Sequence, residues 1–203
     1  RIAERVSDGA TLQLGIGAVP DAVLSSLTER KGLRIWSEMF SDGVLHLLKN
    51  GALDAGRPLT ACFLFGSREL YDWAHMNTNI HMMRTEITND PARIGKQALM
   101  TSVNAALQVD LLDQANANWI KGRIYSGFGG QTDFIVGALH SRGGQSFIAL
   151  PSWHEKAGVS TIVPLLTNPV TSFQHSAVAT ENGIADVFGR SQADQARNII
   201  KYA

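Results

Sequence analysis

Two glycine-containing segments could bring backbone N–H groups close to a ligand. In Ser126–Gln131, glycines occupy positions 127, 129 and 130. Glycine adopts backbone dihedrals that are closed to other residues, so this loop could direct several N–H groups at an oxyanion or at the carbonyl of a thioester. A flexible surface loop without a ligand is the alternative.

The second segment contains Gly15 and Gly17, which follow an apolar run and precede a predicted helix. As a dinucleotide-binding fingerprint it is weak. Pro20 stands where a third glycine is required, and no acidic residue is placed to bind a ribose at the end of the next strand. A tight strand-to-helix turn without a ligand is the alternative to a binding site.

Other catalytic patterns are missing from the sequence. The closest pair among its six histidines, His75 and His81, has neither HxH nor HExxH spacing, and carboxylates do not surround it in a ligand pattern. A serine in the G-x-S-x-G context does not occur either. We therefore expect no metal cofactor and no serine-hydrolase triad. His154, in a predicted polar loop, is the one histidine of interest.

The composition is that of an ordinary globular protein. Of 203 residues, 44% are hydrophobic, and 18 basic side chains balance 18 acidic ones, so nothing indicates nucleic-acid binding. No apolar run approaches the roughly 18 residues that cross a bilayer, and the amino end lacks the layout of a signal peptide. We expect a cytoplasmic protein without membrane contact. The single cysteine, Cys62, lies in an apolar run, which predicts a buried strand residue.

The elements that must position these residues alternate between strands and helices. This alternation favours an α/β sheet covered by helices on both faces, in one domain. The closing helix is predicted to carry Ala193, Ala196, Ile199 and Ile200 on one apolar face. Predicted strands cover residues 11–17, 33–37, 60–65, 99–107, 109–111, 147–150, 161–165 and the start of 178–185; predicted helices cover 20–27, 44–48, 68–75 and 191–201.

Several motifs make the chain resemble the acetyl-CoA hydrolase/transferase family, the class I-like coenzyme A transferases. The two most informative motifs are Asn104–Asp110 (NAALQVD) and Gly127–Phe134 (GFGGQTDF). All motifs occur in the family's order and cover nearly the whole chain. The others are Ser37–Gly43 (SEMFSDG), Phe65–Asp72, Asn89–Pro91, Ser160–Pro164 and Thr180–Ala185.

The resemblance implies a CoA-transferase-like α/β fold with a central, mostly parallel sheet. It also implies coenzyme A, as acyl-CoA, and a small carboxylic acid as substrates. In this family a glutamate carboxylate attacks the thioester, forms a mixed anhydride and then carries CoA as a glutamyl thioester. The resemblance puts Gln108 at the position of that nucleophile, and a neutral amide cannot make this attack. The residues implied in cofactor binding are Gly15, Gly17, Gly127, Gly129, Gly130, Gln131 and Gly183.

Three hypotheses follow from Gln108. In the first, water or the second substrate attacks acyl-CoA directly; Gln108 orients it or stabilises the oxyanion, and Glu181, Glu38 or Asp110 is the base. In the second, the glutamine is engineered or misassigned in an otherwise standard transferase. In the third, the chain is a non-catalytic acyl-CoA-binding module that has lost its nucleophile. Sequence does not choose among these three bases; our prediction of the catalytic residues is Gln108 with Glu181.

Family members carry two similar α/β domains, and this chain resembles only the carboxyl-terminal one. We therefore expect residues 1–203 to form a single carboxyl-terminal domain. An amino-terminal domain of the same protein would be its partner, helping to bind CoA and to frame the cleft. Association into a homo-oligomer is a further expectation from the family.

Overall fold

The computed structural model describes residues 1–15 and 17–203; Ile16, part of the predicted strand 11–17, lies outside the described residues. The helices of the described residues are α1 (Ile2–Arg5), α2 (Ala18–Ser25), α3 (Gly43–Lys49), α4 (Arg68–Ala74), α5 (Thr85–Thr88), α6 (Pro91–Ile94), α7 (Gln131–His140) and α8 (Gln192–Tyr202). The strands are β1 (Thr11–Leu14), β2 (Arg34–Ile35), β3 (Met39–Phe40), β4 (Leu59–Ala61), β5 (Phe63–Leu64), β6 (Ile80–Met82), β7 (Thr101–Ala105), β8 (Gln108–Asp110), β9 (Ala115–Asn116), β10 (Trp119–Ile120), β11 (Arg123–Ile124), β12 (Gln145–Ala149), β13 (Trp153–His154), β14 (Val159–Ser160), β15 (Ile162–Val163), β16 (Ala177–Ala179) and β17 (Ile184–Asp186).

A six-stranded sheet in the order β17-β16-β12-β7-β1-β2 forms the centre of the fold. Its neighbouring strands are parallel except for β17, which is antiparallel to β16. The inner strands are buried along almost their whole length, as expected for a parallel sheet that is covered on both faces. The predicted α/β fold with a central, mostly parallel sheet is confirmed.

The two faces of this sheet carry different cores. Val103 and Phe147, which are register partners, point into the larger core, where side chains of α2 and α3 cover them. Ile148 and Val178, also partners, point to the opposite face and pack with Ile199 of α8. Successive side chains of a strand alternate between faces, so each strand supplies both cores. On this second face, α7 packs against β7 and β12.

Three polar side chains interrupt the second face. Gln13 Nε2 donates to Asn104 Oδ1 at 3.0 Å, and Asn104 Nδ2 donates to Ser102 Oγ at 2.8 Å. Ser102 Oγ in turn donates to Gln13 Oε1 at 2.5 Å. All three residues are buried, and we call them the polar trio. Their mutual hydrogen bonds remove most of the cost of burying two amides and a hydroxyl.

A three-stranded sheet, β15-β8-β9, carries the segment around Gln108. The turn after β8 is organised by Asp110, whose buried carboxylate accepts hydrogen bonds from the backbone N–H groups of Leu112, Gln114 and Leu166 at 3.0 Å. These bonds fix the loop and occupy the carboxylate. Asp110 therefore serves the architecture, and the prediction that it could act as an accessible base has no support in this geometry.

Two local predictions are wrong. The apolar run 60–65 divides into β4 and β5, which pair with different strands, and Cys62 lies half-buried between them with Sγ 2.9 Å from Thr85 Oγ1. Of the face predicted for α8, Ile199 is buried, whereas Ala193 and Ile200 are exposed and do not face the core. Gln195 is buried beside Ile199, where its Nε2 donates a hydrogen bond of 3.1 Å to the carbonyl of Val187. In the described part of the chain, none of the helices is long and apolar enough to cross a membrane.

Candidate active site

Glu38 lies between two strands of the chain's first third and reaches the glycine-rich loop. Its backbone carbonyl accepts hydrogen bonds from the N–H groups of Cys62 and Phe63 at 2.8 and 3.1 Å, which fixes the main chain just before β3. Its side-chain Oε2 accepts a hydrogen bond of 2.9 Å from the backbone N–H of Gly130. Two motifs that are remote in the sequence, SEMFSDG and GFGGQTDF, therefore meet at this carboxylate.

Gly130 is the N-cap of α7, and its small size permits the contact. A Cβ atom at position 130 would collide with Glu38 Oε2 and with Asn89 Nδ2. The first N–H groups of a helix lack partners within the helix and carry a partial positive charge, so a carboxylate is stabilised there. Residue 130 therefore has to be glycine for Glu38 to occupy this place.

Asp133, in the first turn of α7, is a second carboxylate of the same cluster. Partial burial raises its pKa above the ordinary value, a hydrogen bond from the Asn89 side chain lowers it, and the negative charge of Glu38 raises it further; the net direction is upward. Asn89 is itself oriented by Thr88, whose hydroxyl donates to its Oδ1 at 2.8 Å. Glu38, Asn89, Gly130 and Asp133 form what we call the carboxylate cluster.

Gln131 follows directly in the first turn of α7. Its side chain is buried, and among the described residues its Nε2 has no hydrogen-bond partner. An unpaired buried amide donor costs free energy unless a ligand or water accepts from it. Gln131 could therefore donate to an oxygen of a bound substrate. Gly127 and Gly129 precede it in the exposed loop, where Gly129 has a φ of +65° that favours glycine.

Gly15 and Gly17 stand at the carboxyl end of β1. Gly15 continues the pairing with β7, since its N–H donates to the carbonyl of Val103 at 3.0 Å. Gly17 is the N-cap of α2 with a φ of +114°, a conformation that a side chain would strain. It also lines a cavity of about 370 Å³ together with Asp21, Asp42 and others. In open α/β sheets, ligands bind beyond the carboxyl ends of the strands, and Gly15 and Gly17 lie at such an end.

Gln108 occupies a different environment from Glu38. It begins β8 opposite Asn116, and its half-buried side chain accepts a hydrogen bond of 3.2 Å from Asn116 Nδ2. Asn116 in turn donates to the carbonyl of Trp119 at 2.9 Å. Among the hydrogen bonds of the described residues, Gln108 has none to the glycine-rich loop. The amide is thus engaged in holding a turn.

Glu181 lies at the rim of an apolar groove of about 670 Å³ beyond the carboxyl ends of β12 and β16. Ser152 donates to its carboxylate from both Oγ and the backbone N–H, and these bonds lower the pKa of Glu181. Gly183 follows in the turn before β17, where a Cβ would collide with the backbone carbonyl oxygen of Tyr202. Packing against α8 therefore accounts for that glycine without a ligand.

His154 has a structural contact. Its Nδ1 accepts a hydrogen bond from the backbone N–H of Ala157, which closes the turn between β13 and β14.

A model of the acetyl-CoA hydrolase/transferase C-terminal domain matches residues 66–203 of the chain. The chain belongs to this family. It is 41% identical to a 4-hydroxybutyrate coenzyme A transferase of Clostridium kluyveri, over 99% of this chain and 49% of that protein. It is 31% identical to an acetyl-CoA hydrolase of Kluyveromyces lactis, over 94% of this chain and 37% of that protein.

Among solved structures, this chain is similar to RipA from Yersinia pestis and to a 4-hydroxybutyrate CoA-transferase from Porphyromonas gingivalis. RipA is 35% identical with a TM-score of 0.93, covering 100% of this chain and 48% of that one. The second is 36% identical with a TM-score of 0.85, and the match covers 98% of this chain and 49% of that one. The chain thus spans about half the length of the first curated relatives it matches.

The residues of the carboxylate cluster lie in motifs of the family resemblance, but the sequence did not predict that they contact one another. Asn89 and Asp133 belong to recognised motifs, but no role could be assigned to them from spacing. The polar trio was missed entirely, although a glutamine in the middle of the run TLQL is the kind of signal that could have indicated it. Within the described residues, no group of three or more His, Cys, Asp or Glu side chains is suited to hold a metal ion.

Proposed function

We propose that the full-length protein cleaves or exchanges the thioester of a short-chain acyl-CoA, with Glu38 as its nucleophile. The observation that carries this proposal is the hydrogen bond of 2.9 Å between Glu38 Oε2 and the N–H of Gly130 at the start of α7. It holds an ionisable oxygen in a partly buried place beside the glycine-rich loop. A carboxylate so placed is suited to covalent catalysis on an acyl group.

The proposed reaction begins when a Glu38 oxygen attacks the thioester carbonyl carbon. The C–S bond breaks, CoA leaves as a thiolate, and Glu38 and the acyl group form a mixed anhydride. The thiolate then attacks the Glu38 carbonyl carbon, so that the acyl group leaves as a free carboxylate and CoA is held as a glutamyl thioester. A second acid takes CoA by the reverse sequence, or water hydrolyses the thioester.

The glycine-rich loop supplies the charge stabilisation for these steps. Each attack places negative charge on a carbonyl oxygen, and fixed N–H donors are worth most where water is excluded. We assign this role to the backbone of Gly129 and Gly130 and to the unpaired Nε2 of Gln131. Gly15, Gly17 and Gly127 remain proposed contacts of CoA, and Gly183 stays a weaker one.

Glu38 is a better candidate than Gln108 for two reasons. It is a carboxylate, which the reaction requires, and its side chain contacts the loop that Gln108 does not contact among the described hydrogen bonds. The missing glutamate at position 108 therefore does not imply a lost activity. We retain Glu181 as a site residue at the groove rim, where its lowered pKa keeps it ionised and makes it a weak base.

Coenzyme A and a small carboxylic acid are the proposed substrates. The relatives include both coenzyme A transferases and acetyl-CoA hydrolases, so both fates of the thioester are compatible with the family. Because the chain spans about half of its first curated relatives, we propose that an amino-terminal domain of the same protein completes the cleft. Association into a homo-oligomer is also proposed.

The experiment compares Glu38→Gln with Gln108→Glu in the full-length protein. Each variant is incubated with acetyl-CoA, and intact-protein mass spectrometry measures the fraction that carries CoA. We expect the wild type and Gln108→Glu to form the adduct and Glu38→Gln to form none, with a loss of transfer rate of about 10⁴-fold or more. Glu38→Gln replaces an acid by an amide and Gln108→Glu does the reverse; the two groups have nearly the same shape, so folding should be unaffected.

Two other results would contradict this assignment. An adduct in Glu38→Gln would exclude Glu38 and imply that another carboxylate is the nucleophile, and an adduct that appears only in Gln108→Glu would place the nucleophile at residue 108. Tryptic mapping of the labelled peptide locates the thioester directly, because residues 38 and 108 fall in different tryptic peptides: Arg34 and Lys49 bound the first, and Gln97–Lys121 contains the second.

A further inference from the structure

Asp133 is a carboxylate that the proposed reaction does not use, although it belongs to the carboxylate cluster. It is half-buried on α7, three residues after the N-cap Gly130. Because the Gly130 N–H binds Glu38, and the Asn89 side chain contacts both Gly130 and Asp133, the two carboxylates share one partly buried environment. Two negative charges held together in such a place oppose each other more strongly than they would in water.

The proposed reaction changes only one of these two charges. The free enzyme holds a negative Glu38 beside Asp133. When CoA is loaded, Glu38 becomes a neutral thioester, and the negative charge leaves on the released carboxylate. Any free-energy cost that Asp133 imposes on the charged Glu38 is therefore relieved by the covalent step.

We propose that Asp133 is a positioning residue whose charge favours the CoA-loaded form of Glu38 over the free carboxylate. The proposal rests on the proposed function, in which Glu38 is the nucleophile. Asp133 touches neither substrate nor the reacting atoms in this scheme. It acts on Glu38 through charge, while Asn89 keeps its carboxylate in place by a side-chain hydrogen bond.

The direction of the upward pKa shift of Asp133 supports the coupling. Burial is the largest cause of this shift, and the negative charge of Glu38 contributes to it in the same direction. The shift agrees with the hydrogen bond that holds Glu38 at the start of α7, one helical turn from Asp133.

The test measures that equilibrium with a matched pair of variants, Asp133→Glu and Asp133→Gln. The two side chains have the same length and differ in charge. Full-length protein is equilibrated at about pH 8, where carboxyl groups are ionised, with a fixed ratio of acetyl-CoA to acetate. Intact-protein mass spectrometry then gives the ratio of CoA-loaded to free enzyme.

We expect the ratio of CoA-loaded to free enzyme to fall several-fold in Asp133→Gln relative to Asp133→Glu. In Asp133→Asn, which keeps the native side-chain length, the ratio should fall by a similar factor relative to the wild type. This variant replaces the matched pair if the longer side chains do not fit at position 133. Asp194→Asn is the control, since Asp194 is an exposed aspartate at the same position of the first turn of α8. Its ratio should equal that of the wild type.

Equal loaded fractions in the charged and the neutral variant at position 133 would overturn the inference. A purely structural role of Asp133 would reduce the fraction of folded protein and leave the ratio within the folded population unchanged. Failure of the proposed function gives a different result: either the wild type forms no adduct, or Glu38→Gln still forms one.

Discussion

Glu38 Oε2 accepts its hydrogen bond from the backbone N–H of Gly130 across 92 residues of sequence. The contact joins the segment before β3 to the start of α7, and both ends are fixed by other hydrogen bonds. A glutamate side chain has three rotatable bonds, so without a fixed partner its carboxylate would sample many positions. Substitutions at Gly130 should therefore alter reactivity more than stability.

Gly130→Ala tests that expectation. The new methyl group would meet the ends of the Glu38 and Asn89 side chains, which can move at small cost, so the loss of stability should stay within about 1–3 kcal/mol. The displaced carboxylate and the disturbed donor should reduce kcat by about 10²–10³-fold. Steady-state kinetics and urea unfolding of the same preparation measure both effects.

Gly56→Ala is the matched control for this substitution. Gly56 lies in an exposed turn with φ outside the left-handed region, and its nearest neighbour is Asp54 Oδ1 at 3.4 Å from the Cβ position. Kinetics should be those of the wild type. Normal turnover in Gly130→Ala would show that the contact with Glu38 is dispensable.

Asp133→Asn should change how stability depends on pH. The pKa of Asp133 is raised in the folded state, so its stabilising contribution is fully present below the unfolded value of 3.8 and is lost as the pH rises through the folded pKa. Asparagine removes this loss. The free energy of unfolding of the variant relative to the wild type should therefore increase as the pH rises from about 4 to about 7.

The control for Asp133→Asn is Asp194→Asn, for which the expected pH dependence of stability has the opposite sign. Ser191 and Arg197 lower the pKa of Asp194, whose contribution is present above the unfolded value and lost as the pH falls. The free energy of unfolding of Asp194→Asn relative to the wild type should therefore decrease as the pH rises. Parallel curves for the two variants would contradict the assigned direction for Asp133.

Ser152→Ala should raise the pKa of Glu181 towards its ordinary value. The hydroxyl of Ser152 is the largest cause of the lowered pKa, and the backbone N–H of the same residue is the next. The backbone bond survives the substitution, so the shift should be partial. A pH titration of the Glu181 side-chain carboxyl by carbon-13 NMR measures it.

Ser191→Ala provides a reciprocal control for this titration. It removes the hydrogen bond that contributes most to the lowered pKa of Asp194 and leaves Ser152 intact. Each serine variant should move the carboxyl resonance of its own partner. An unchanged Glu181 titration in Ser152→Ala would mean that the hydroxyl does not bind this carboxylate in solution.

Gln13→Leu tests the polar trio. The substitution leaves Asn104 and Ser102 buried with unpaired groups, which should destabilise the fold by about 1–3 kcal/mol despite the apolar replacement. Gln192→Leu, on the exposed start of α8, should stay within about 0.5 kcal/mol of the wild type. Similar urea midpoints for the two variants would show that burial, not the hydrogen bonds, determines the stability at position 13.

The sheet was predictable from the sequence because its strands are short apolar runs between turn residues. Helix α7 was not predicted. Its residues Phe134, Ile135 and Ala138 are buried, and Gln131 and Thr132 are buried with them, so it lacks the polar face by which a surface helix is recognised. The glycines before it and Gly137 within it also favour a loop interpretation.

The candidate site was predictable as a set of motifs and not as a set of contacts. Motif matching directed attention to Gln108, whose neighbours in sequence fit the family. The proximity of Glu38 to Gly130 and Asp133 depends on α7 packing beside the segment before β3, which no local pattern encodes. Cys62 shows the same limit, since its apolar run gave no sign that β4 and β5 pair with different strands.

The polar trio also bears on how the chain selects its strand alignment. Gln13 is paired in register with Ser102, and a slip of one residue would turn its amide towards the opposite face of the sheet. The leucines of β1 and the valine of β7 could be buried after such a slip at little cost, but the separated polar groups of the trio could not be satisfied. The polar trio thus makes misaligned pairing of β1 with β7 costly and favours a single alignment of these two strands.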